Sequence, residues 1–444
     1  MLLQLLTLLA VLVGLVFAIT KLKVHPFVAL ICSALSLGLL LRFGGKETVD
    51  AVLTGFGNTV RWIAIVVILG AFVGEVLRDT GGAFRIARAV VKKKGAKRLP
   101  WAMGFTGYIV SIPVFVDVAY IILQPVTEAL ASRSKRTVLV IGLALTAGLT
   151  VSHTLIPPTP GPLAVASQLE ADVGRMLLIN GFVGVAAMAG GILWVLYFCS
   201  GYRLPVDAKL ADATDGKESF GEEGGQTGLV WMDLLPILIP FALMAGGTFF
   251  SGESESLAAQ LTGFFSTPMI AVLVGAGVAA MQFRRLHKKS GLGELVEQAI
   301  LKSALVIMIT GAGGSLGHVI RSSGMQDSLA SYLGDVPALG FLLPFLIAAA
   351  LTTATGSITV SLIGTSSIVG PIAGSLPYSP EIMAALIGAG SFCVFHANSS
   401  FFWLLNRLHD APVGILYRTY TLQSLVMGVS GLMAVVALRL LGVQ

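Results

Sequence analysis

Charge is what this sequence has least of. Only 12% of its 444 residues are Asp, Glu, Lys or Arg, about half the roughly 25% of a soluble domain. At 55% apolar and a mean hydropathy of +0.87, the composition excludes a soluble enzyme and a nucleic-acid binder. Cysteine is scarce as well. Cys32, Cys199 and Cys393 each lie in apolar sequence without metal-ligand spacing, which excludes a disulfide scaffold and leaves them as small core residues. There is no HExxH motif, no spaced pair of embedded aspartates and no serine–base constellation, so an intramembrane enzyme has no support and no metal or cofactor is called for. No positive charge precedes the first apolar run, 2–20, whereas Lys21 and Lys23 follow it. That order reverses a signal peptide and points to an uncleaved first span with its N-terminus outside.

What the sequence does have is apolar runs of about the 20 residues that cross a bilayer core as a helix. They lie near 2–20, 25–43, 60–77, 101–130, 137–170, 176–198, 231–250, 263–283, 303–320, 338–377, 381–406 and 415–438. Lysine and arginine orient them. Residues 78–98 carry eight basic side chains, including Lys92, Lys93, Lys94, Lys97 and Arg98, and Arg133, Lys135 and Arg136 follow the run 101–130. Both clusters should be cytoplasmic, so 101–130 enters and leaves on one side as a hairpin. The run 338–377 does the same from outside. Ten crossings and two re-entrant hairpins result. This places 23 of the 29 basic residues inside, Arg284, Arg285, Lys288 and Lys289 among them, with Glu253, Glu255 and both termini outside. The polar stretch 201–230 is expected to be a flexible cytoplasmic linker.

That linker divides the chain nearly in half. At an offset of 243 residues, Gly70, Gly74, Val76, Arg78 and Gly81 fall on Gly313, Gly317, Val319, Arg321 and Gly324, and His153 falls on His396. At 242, Pro26-Phe27-Val28-Ala29 falls on Pro268-Met269-Ile270-Ala271. Five crossings per half would invert one copy relative to the other, a construction common among secondary transporters. The expected fold is an all-α polytopic membrane protein of two inverted repeats, 1–200 and 231–444. Each has five transmembrane helices, a re-entrant hairpin (98–131 and 338–377) and a broken helix (137–170 and 381–406).

Non-helical backbone at membrane depth must face protein or a watery cavity, and four stretches qualify. Two are hairpin tips, 111–117 and 352–359. Two are helix breaks, 152–162 and 395–400. Pro157, Pro158 and Pro160 remove amide donors, and Pro162 suits the first turn of a new half-helix. Amides at half-helix starts favour an anionic group such as a carboxylate. No arginine lies in these stretches, so backbone dipoles would bear most of the anion recognition. Thr159, Gly161, Thr355, Gly356, Ser357, Thr359, Asn398, Ser399 and Ser400 are the candidate binding positions, their hydroxyls and amide suiting a polyhydroxylated ligand. Asp117 is the acid near a tip, where desolvation favours its neutral form and suits it to proton coupling; capping a half-helix is the alternative. His153 and His396 are candidates for substrate binding or proton transfer, against a purely structural imidazole. Glu75 and His318 read as helix-end groups reaching the interface. Gly70, Gly74, Gly313 and Gly317 read as close helix-packing sites.

At these residues the sequence resembles the gluconate permease (GntP) family of the ion transporter superfamily, over nearly the whole chain. His153 followed by Pro157-Pro158-Thr159-Pro160-Gly161-Pro162 is similar to the family's histidine followed by Pro-Pro-His-Pro-Gly-Pro. His396-Ala397-Asn398 with Phe402-Trp403 is similar to its His-x-Asn-Asp-x-x-Phe-Trp, and Gly356-Ser357-Ile358-Thr359-Val360 to its second hairpin tip. The resemblance implies an elevator-type carrier in the bacterial cytoplasmic (inner) membrane, a homodimer importing a small hydroxylated carboxylate such as gluconate together with protons. Sodium is the less favoured ion, and a channel fits inverted hairpins poorly. Thr159 replaces the family's second histidine, Ser399 its aspartate, and Thr352 stands where gluconate members tend to have arginine. Asp117 stands where they generally have glutamate. These departures point to a changed substrate, a hydroxy acid or D-serine among the alternatives.

Overall fold

An apolar chain without water must satisfy its backbone internally, and the computed structural model is helical throughout, with no strand among the residues it describes. Those are 2–91, 95, 98–134, 136–202, 204, 230–250, 256–286, 291–324, 337–376 and 378–443. Most of the expected linker 201–230 lies outside them, as do Lys92, Lys93, Lys94, Lys97, Lys135, Glu253, Glu255, Lys288 and Lys289.

The first half contains α1 (Leu2–Thr20), α2 (Pro26–Leu40), α3 (Gly45–Asp79), α4 (Gly82–Val91), α5 (Leu99–Val110), α6 (Val116–Arg133), α7 (Val138–Leu155), α8 (Pro160–Leu169) and α9 (Val173–Cys199). The second contains α10 (Val230–Phe250), α11 (Leu257–Ser266), α12 (Pro268–Leu286), α13 (Leu292–Ser322), α14 (Pro337–Thr355), α15 (Ile358–Val369), α16 (Pro380–Ser391), α17 (Ser400–Leu408) and α18 (Val413–Leu440). Seven helical segments among the described residues are long and apolar enough to cross a membrane, α7 and α8 together forming one of them.

Several elements differ from the expected spans. The run 60–77 is only the second half of α3, which has 35 residues and a length of about 50 Å. Lys46, Glu47, Asp50 and Arg61 hide its first half from a hydropathy reading, yet the Gly44 amide is capped by the Glu47 carboxylate at 3.1 Å. The run 303–320 is likewise the second part of the 31-residue α13. The run 263–283 is divided between α11 and α12, since Thr267 and Pro268 end one helix and start the next. The helix α4 lies inside the stretch read only as a basic topology signal.

The long helices α3 and α13 cross antiparallel. Their contact is glycine on glycine: a Cβ on Gly55 would meet the Gly314 carbonyl and Ser315, and one on Gly314 would meet Thr59 and Gly55. Ser315 Oγ donates to the Val52 carbonyl at 2.8 Å across this crossing. Further along, Glu75 is buried rather than reaching the interface as expected. Lys302 of α13 donates to it at 2.5 Å, and Arg78 pairs with it at 2.7 Å while also bonding Gln298. A second buried acid, Asp233 of α10, takes a two-pronged bond from Arg85 of α4 at 2.8 and 2.6 Å. Charges are tolerated in this interior where they are paired.

The centre of the molecule is α7 followed by α8. Every residue of α7 except His153 is buried, and α16 is buried along its length from Glu381 to Ser391. Replacing Glu75 by Ala would leave the Lys302 and Arg78 cations without their carboxylate. Because both cations are about a third exposed, the expected loss is a modest 1–3 kcal/mol, roughly that of one unsatisfied group. A lowered melting temperature of purified E75A protein in detergent checks this.

Candidate functional site

Each of the four polar stretches has a local cause. At the first tip, α5 ends at Val110 and α6 starts at Val116. Pro113 lacks an amide hydrogen, and Ser111 Oγ closes the turn onto the Val114 carbonyl at 3.0 Å. The tip is shorter than expected: Asp117 already lies in the first turn of α6, where unpaired amides favour a carboxylate. The first break is shorter too. Helix α7 continues through Ser152 and His153 to Leu155, and α8 starts at Pro160 rather than at Pro162. Only 156–159 are irregular, held by Thr159 Oγ1 donating to the Ile156 carbonyl at 2.6 Å. Asn180 of α9 satisfies the Leu155 carbonyl at 2.9 Å.

The second tip contracts to Gly356 and Ser357. Gly356 has φ +70°, which a side chain would strain, and the Ser357 hydroxyl caps α15 by accepting from the Val360 amide at 3.3 Å. Thr352, Thr353 and Thr355 are still helical. The Thr353 and Thr355 hydroxyls bond carbonyls one turn back in α14, and Thr352 donates to the Ser391 carbonyl at 2.9 Å. The second break is longer than expected, running from Phe392 to Ser399 before α17 starts at Ser400. Phe395 is anchored by its amide to Ser424 Oγ at 3.0 Å.

The structure groups these pieces in two assemblies. In one, the second tip lies on the second break. The Thr353 carbonyl accepts from His396 Nε2 at 2.9 Å and from Asn398 Nδ2 at 2.7 Å. A carbonyl only accepts, so His396 carries its hydrogen on Nε2. A Cβ on Gly356 would strike the Asn398 carbonyl and the Ser399 amide. In the other assembly, the first tip lies on the first break. The Phe115 and His153 rings are 5.6 Å apart between centroids, and both line a cleft with Pro113, Pro158 and Thr159. That cleft holds about 10 Å³, roughly the room one water needs.

Tyr420 of α18 joins the assemblies. Its hydroxyl lies near the Ser399 side chain and within electrostatic reach of Asp117, while its ring stacks on Phe395 with centroids 5.8 Å apart. Gly161 faces Leu362 of α15, while Thr359 is half-buried and Ser400 exposed. The glycine pairs have different partners from those expected. Gly70 meets Pro158 and Gly74 meets Pro113, so α3 receives the first break and tip rather than another helix. Gly313 and Gly317 meet α15 at Ile363 and Ser367.

Sequence reasoning missed Tyr420, Asn180 and a polar cavity of about 240 Å³ lined by Asn58, Arg61, Gln168, His318, Arg321 and Ser366 among others. His318 faces that cavity instead of simply ending a helix. A lone asparagine inside the apolar run of α9 was a usable signal for Asn180; nothing local marked Tyr420.

Long apolar helices, interrupted deep in the core by polar breaks that meet hairpin tips, define a membrane transport protein. In fold the chain is similar to the structure of the YdaH transporter of Alcanivorax borkumensis, with a TM-score of 0.68 at 15% identity, covering 94% of this chain and 99% of that one. The chain belongs to the GntP family of permeases, whose family model matches residues 3–441. A gluconate permease of Pseudomonas aeruginosa is 31% identical over 97% of this chain and 96% of its own length. The D-serine transporter DsdX of Escherichia coli K12 is 30% identical, with 96% of each chain covered.

Gly356→Ala combines a left-handed φ with a collision against the second break, so it is expected to cost at least about 1–2 kcal/mol. Gly374→Ala meets no atom within 4 Å and should leave the melting temperature of the purified protein unchanged. Comparing the two melts checks that Gly356 holds the tip to the break.

Proposed function

We propose that this permease is a proton-coupled symporter for a small hydroxylated carboxylate, gluconate or a related sugar acid. The observation that carries the reading is the second assembly, where His396, Asn398 and Ser399 meet the Gly356–Ser357 tip at the start of α17. The starts of α17 and α8 direct unpaired amides toward a carboxylate, and hydroxyls at Thr159, Ser357 and Ser399 suit a polyol chain. Asp117 is the acid beside this site, and its protonation lowers the net charge carried through the low-dielectric barrier. The similarity to a gluconate permease of Pseudomonas aeruginosa supports gluconate as the first substrate to try.

The movement proposed is an elevator. Setting α4 aside, the order of two helices, a hairpin, a broken helix and a closing helix recurs as α2–α9 and α12–α18, which supports two inverted repeats. Glycines on α3 and α13 face the tip, break and hairpin, a smooth contact along which a transport domain can slide. The 10 Å³ cleft is too small for a sugar acid, so a conformational change must open it. Family resemblance supports a homodimer in the inner membrane. The charge distribution supports outside termini and a cytoplasmic linker.

A second reading, D-serine or a hydroxy acid as substrate, is favoured by Thr159, Ser399 and Thr352 in place of the family's charged or basic residues, and by the DsdX relative at 30% identity. Both readings are tested by uptake of labelled gluconate into proteoliposomes under an inward proton gradient, with unlabelled sugar acids, hydroxy acids and D-serine as competitors. Saturable accumulation that a protonophore abolishes and choline-for-sodium exchange leaves intact is expected. Strongest competition by D-serine would move the substrate to the second reading, and accumulation that follows sodium would overturn proton coupling.

A further inference from the structure

At the end of α8 farthest from the first break, the polar cavity of about 240 Å³ lies between α3, α8, α13 and α15. One water needs roughly 10–15 Å³, so this space has room for a small organic molecule. The cleft at the first tip, about 10 Å³, has none. The 10 residues of α8 separate the two by about 15 Å. The cavity is therefore distinct from the tips and breaks.

Its charge is unbalanced. Arg61 of α3 and Arg321 of α13 line it together with one acid, Glu170, which follows α8. Arg321 lies 3.5 Å from Glu170, whose side chain is 80% exposed, and so open a pair neutralises weakly. Arg61 has no ion pair among the described residues. Both arginines stand where an apolar run meets the aqueous boundary, Arg61 at the start of 60–77 and Arg321 just after 303–320. They are among the few basic residues that the topology leaves outside, where the positive-inside signal does not account for them. Two guanidinium groups at a recess draw anions toward it, and each can hold a carboxylate through two parallel bonds.

Beside the arginines is a hydrogen-bonding wall. Gln168 of α8 is 7% exposed and lines the cavity. Arg321 Nη2 reaches its backbone carbonyl at 3.4 Å, which places the guanidinium at the end of α8. Ser366 and Ser367 of α15 hold one atom of the Gln168 side-chain amide at 3.0 and 2.9 Å. The other amide atom has no partner among the described residues. A ligand hydroxyl both donates and accepts, so it can complete that amide whichever way it is turned. Asn58, Thr59 and Ser167 add further donors and acceptors. An inorganic anion would engage the arginines and leave this wall idle, and a neutral sugar would do the reverse.

We propose that the cavity is a second binding site for a small hydroxylated carboxylate, whose carboxylate is held by Arg61 and Arg321 and whose hydroxyl is held by Gln168. It lies at the end of the fold that the outside-termini reading turns outward, and it gathers the anion at that face. Glu170 competes with the ligand for Arg321. The ligand class rests on the transport reading above, while binding at the cavity requires neither proton coupling nor an elevator.

The test counts bound molecules. Purified full-length protein in uncharged detergent is dialysed to equilibrium against labelled gluconate. Wild type should bind two molecules per chain, one in the cavity and one at the second tip and break, and R61Q/R321Q should bind one. R321Q alone should weaken binding at the cavity about tenfold, through loss of a charged hydrogen bond. E170Q should tighten it about two- to fivefold, because the competing carboxylate is gone. Gluconamide, which keeps the hydroxyls and lacks the charge, should not displace gluconate from the cavity. Equal counts in wild type and R61Q/R321Q would overturn the site and leave the transport reading standing. A single molecule in wild type that R61Q/R321Q loses would keep the site and remove gluconate from the tip and break. Phosphatidylglycerol that displaces gluconate from wild type but not from R61Q/R321Q would make the ligand a lipid headgroup and overturn the proposal, as would wild type that binds no gluconate. Should the double variant not fold, R321Q and E170Q, both at exposed side chains, still decide it: affinities that do not move in opposite directions overturn the site.

Discussion

A helix interrupted inside an apolar interior exposes amides and carbonyls that nothing but the protein can satisfy. Most of the central architecture is the answer to that demand. The last carbonyl of α7 is met by Asn180, the Ser391 carbonyl ending α16 by Thr352, and the Thr353 carbonyl by both His396 and Asn398. The Thr353 bonds hold the second hairpin tip against the second break. The side chains proposed to receive substrate are the same ones that complete the backbone, so substrate binding and tip position are physically linked.

Charge is managed by the same economy. The buried acids Glu75, Asp233 and Glu128 each face a basic partner, Lys302 with Arg78, Arg85, and His409 respectively. The first two pairs join helices, Glu75 tying α3 to α13 and Asp233 tying α10 to α4. Glycine has a complementary role, since Gly55 and Gly314 bring the long helices together while Gly70 and Gly74 admit a tip and a break.

Much of this was legible in the sequence where the signal is local. Proline marks the first break because it removes donors wherever it stands. Gly356 and Ser357 mark the second tip because one accepts a left-handed φ and the other caps a helix. Boundaries were less legible. Asp117, His153 and Thr355 were assigned to irregular backbone, yet all three are helical, because tertiary packing carries a helix past residues that only weakly disfavour it. The polar first half of α3 was missed for the converse reason: its charged residues lower hydropathy without preventing a helix.

Composition and order along the chain determined the membrane class, the helical fold and the places where helices must fail, because these follow from missing charge and missing amide hydrogens. Only the tertiary structure decided which tip meets which break, that Glu75 is buried against Lys302, and that Tyr420 stacks on Phe395 of the second break. The Tyr120–His409 bond joins residues 289 positions apart. Its partners are ordinary in their local sequence, and what makes them a pair is the shared burial that packing creates.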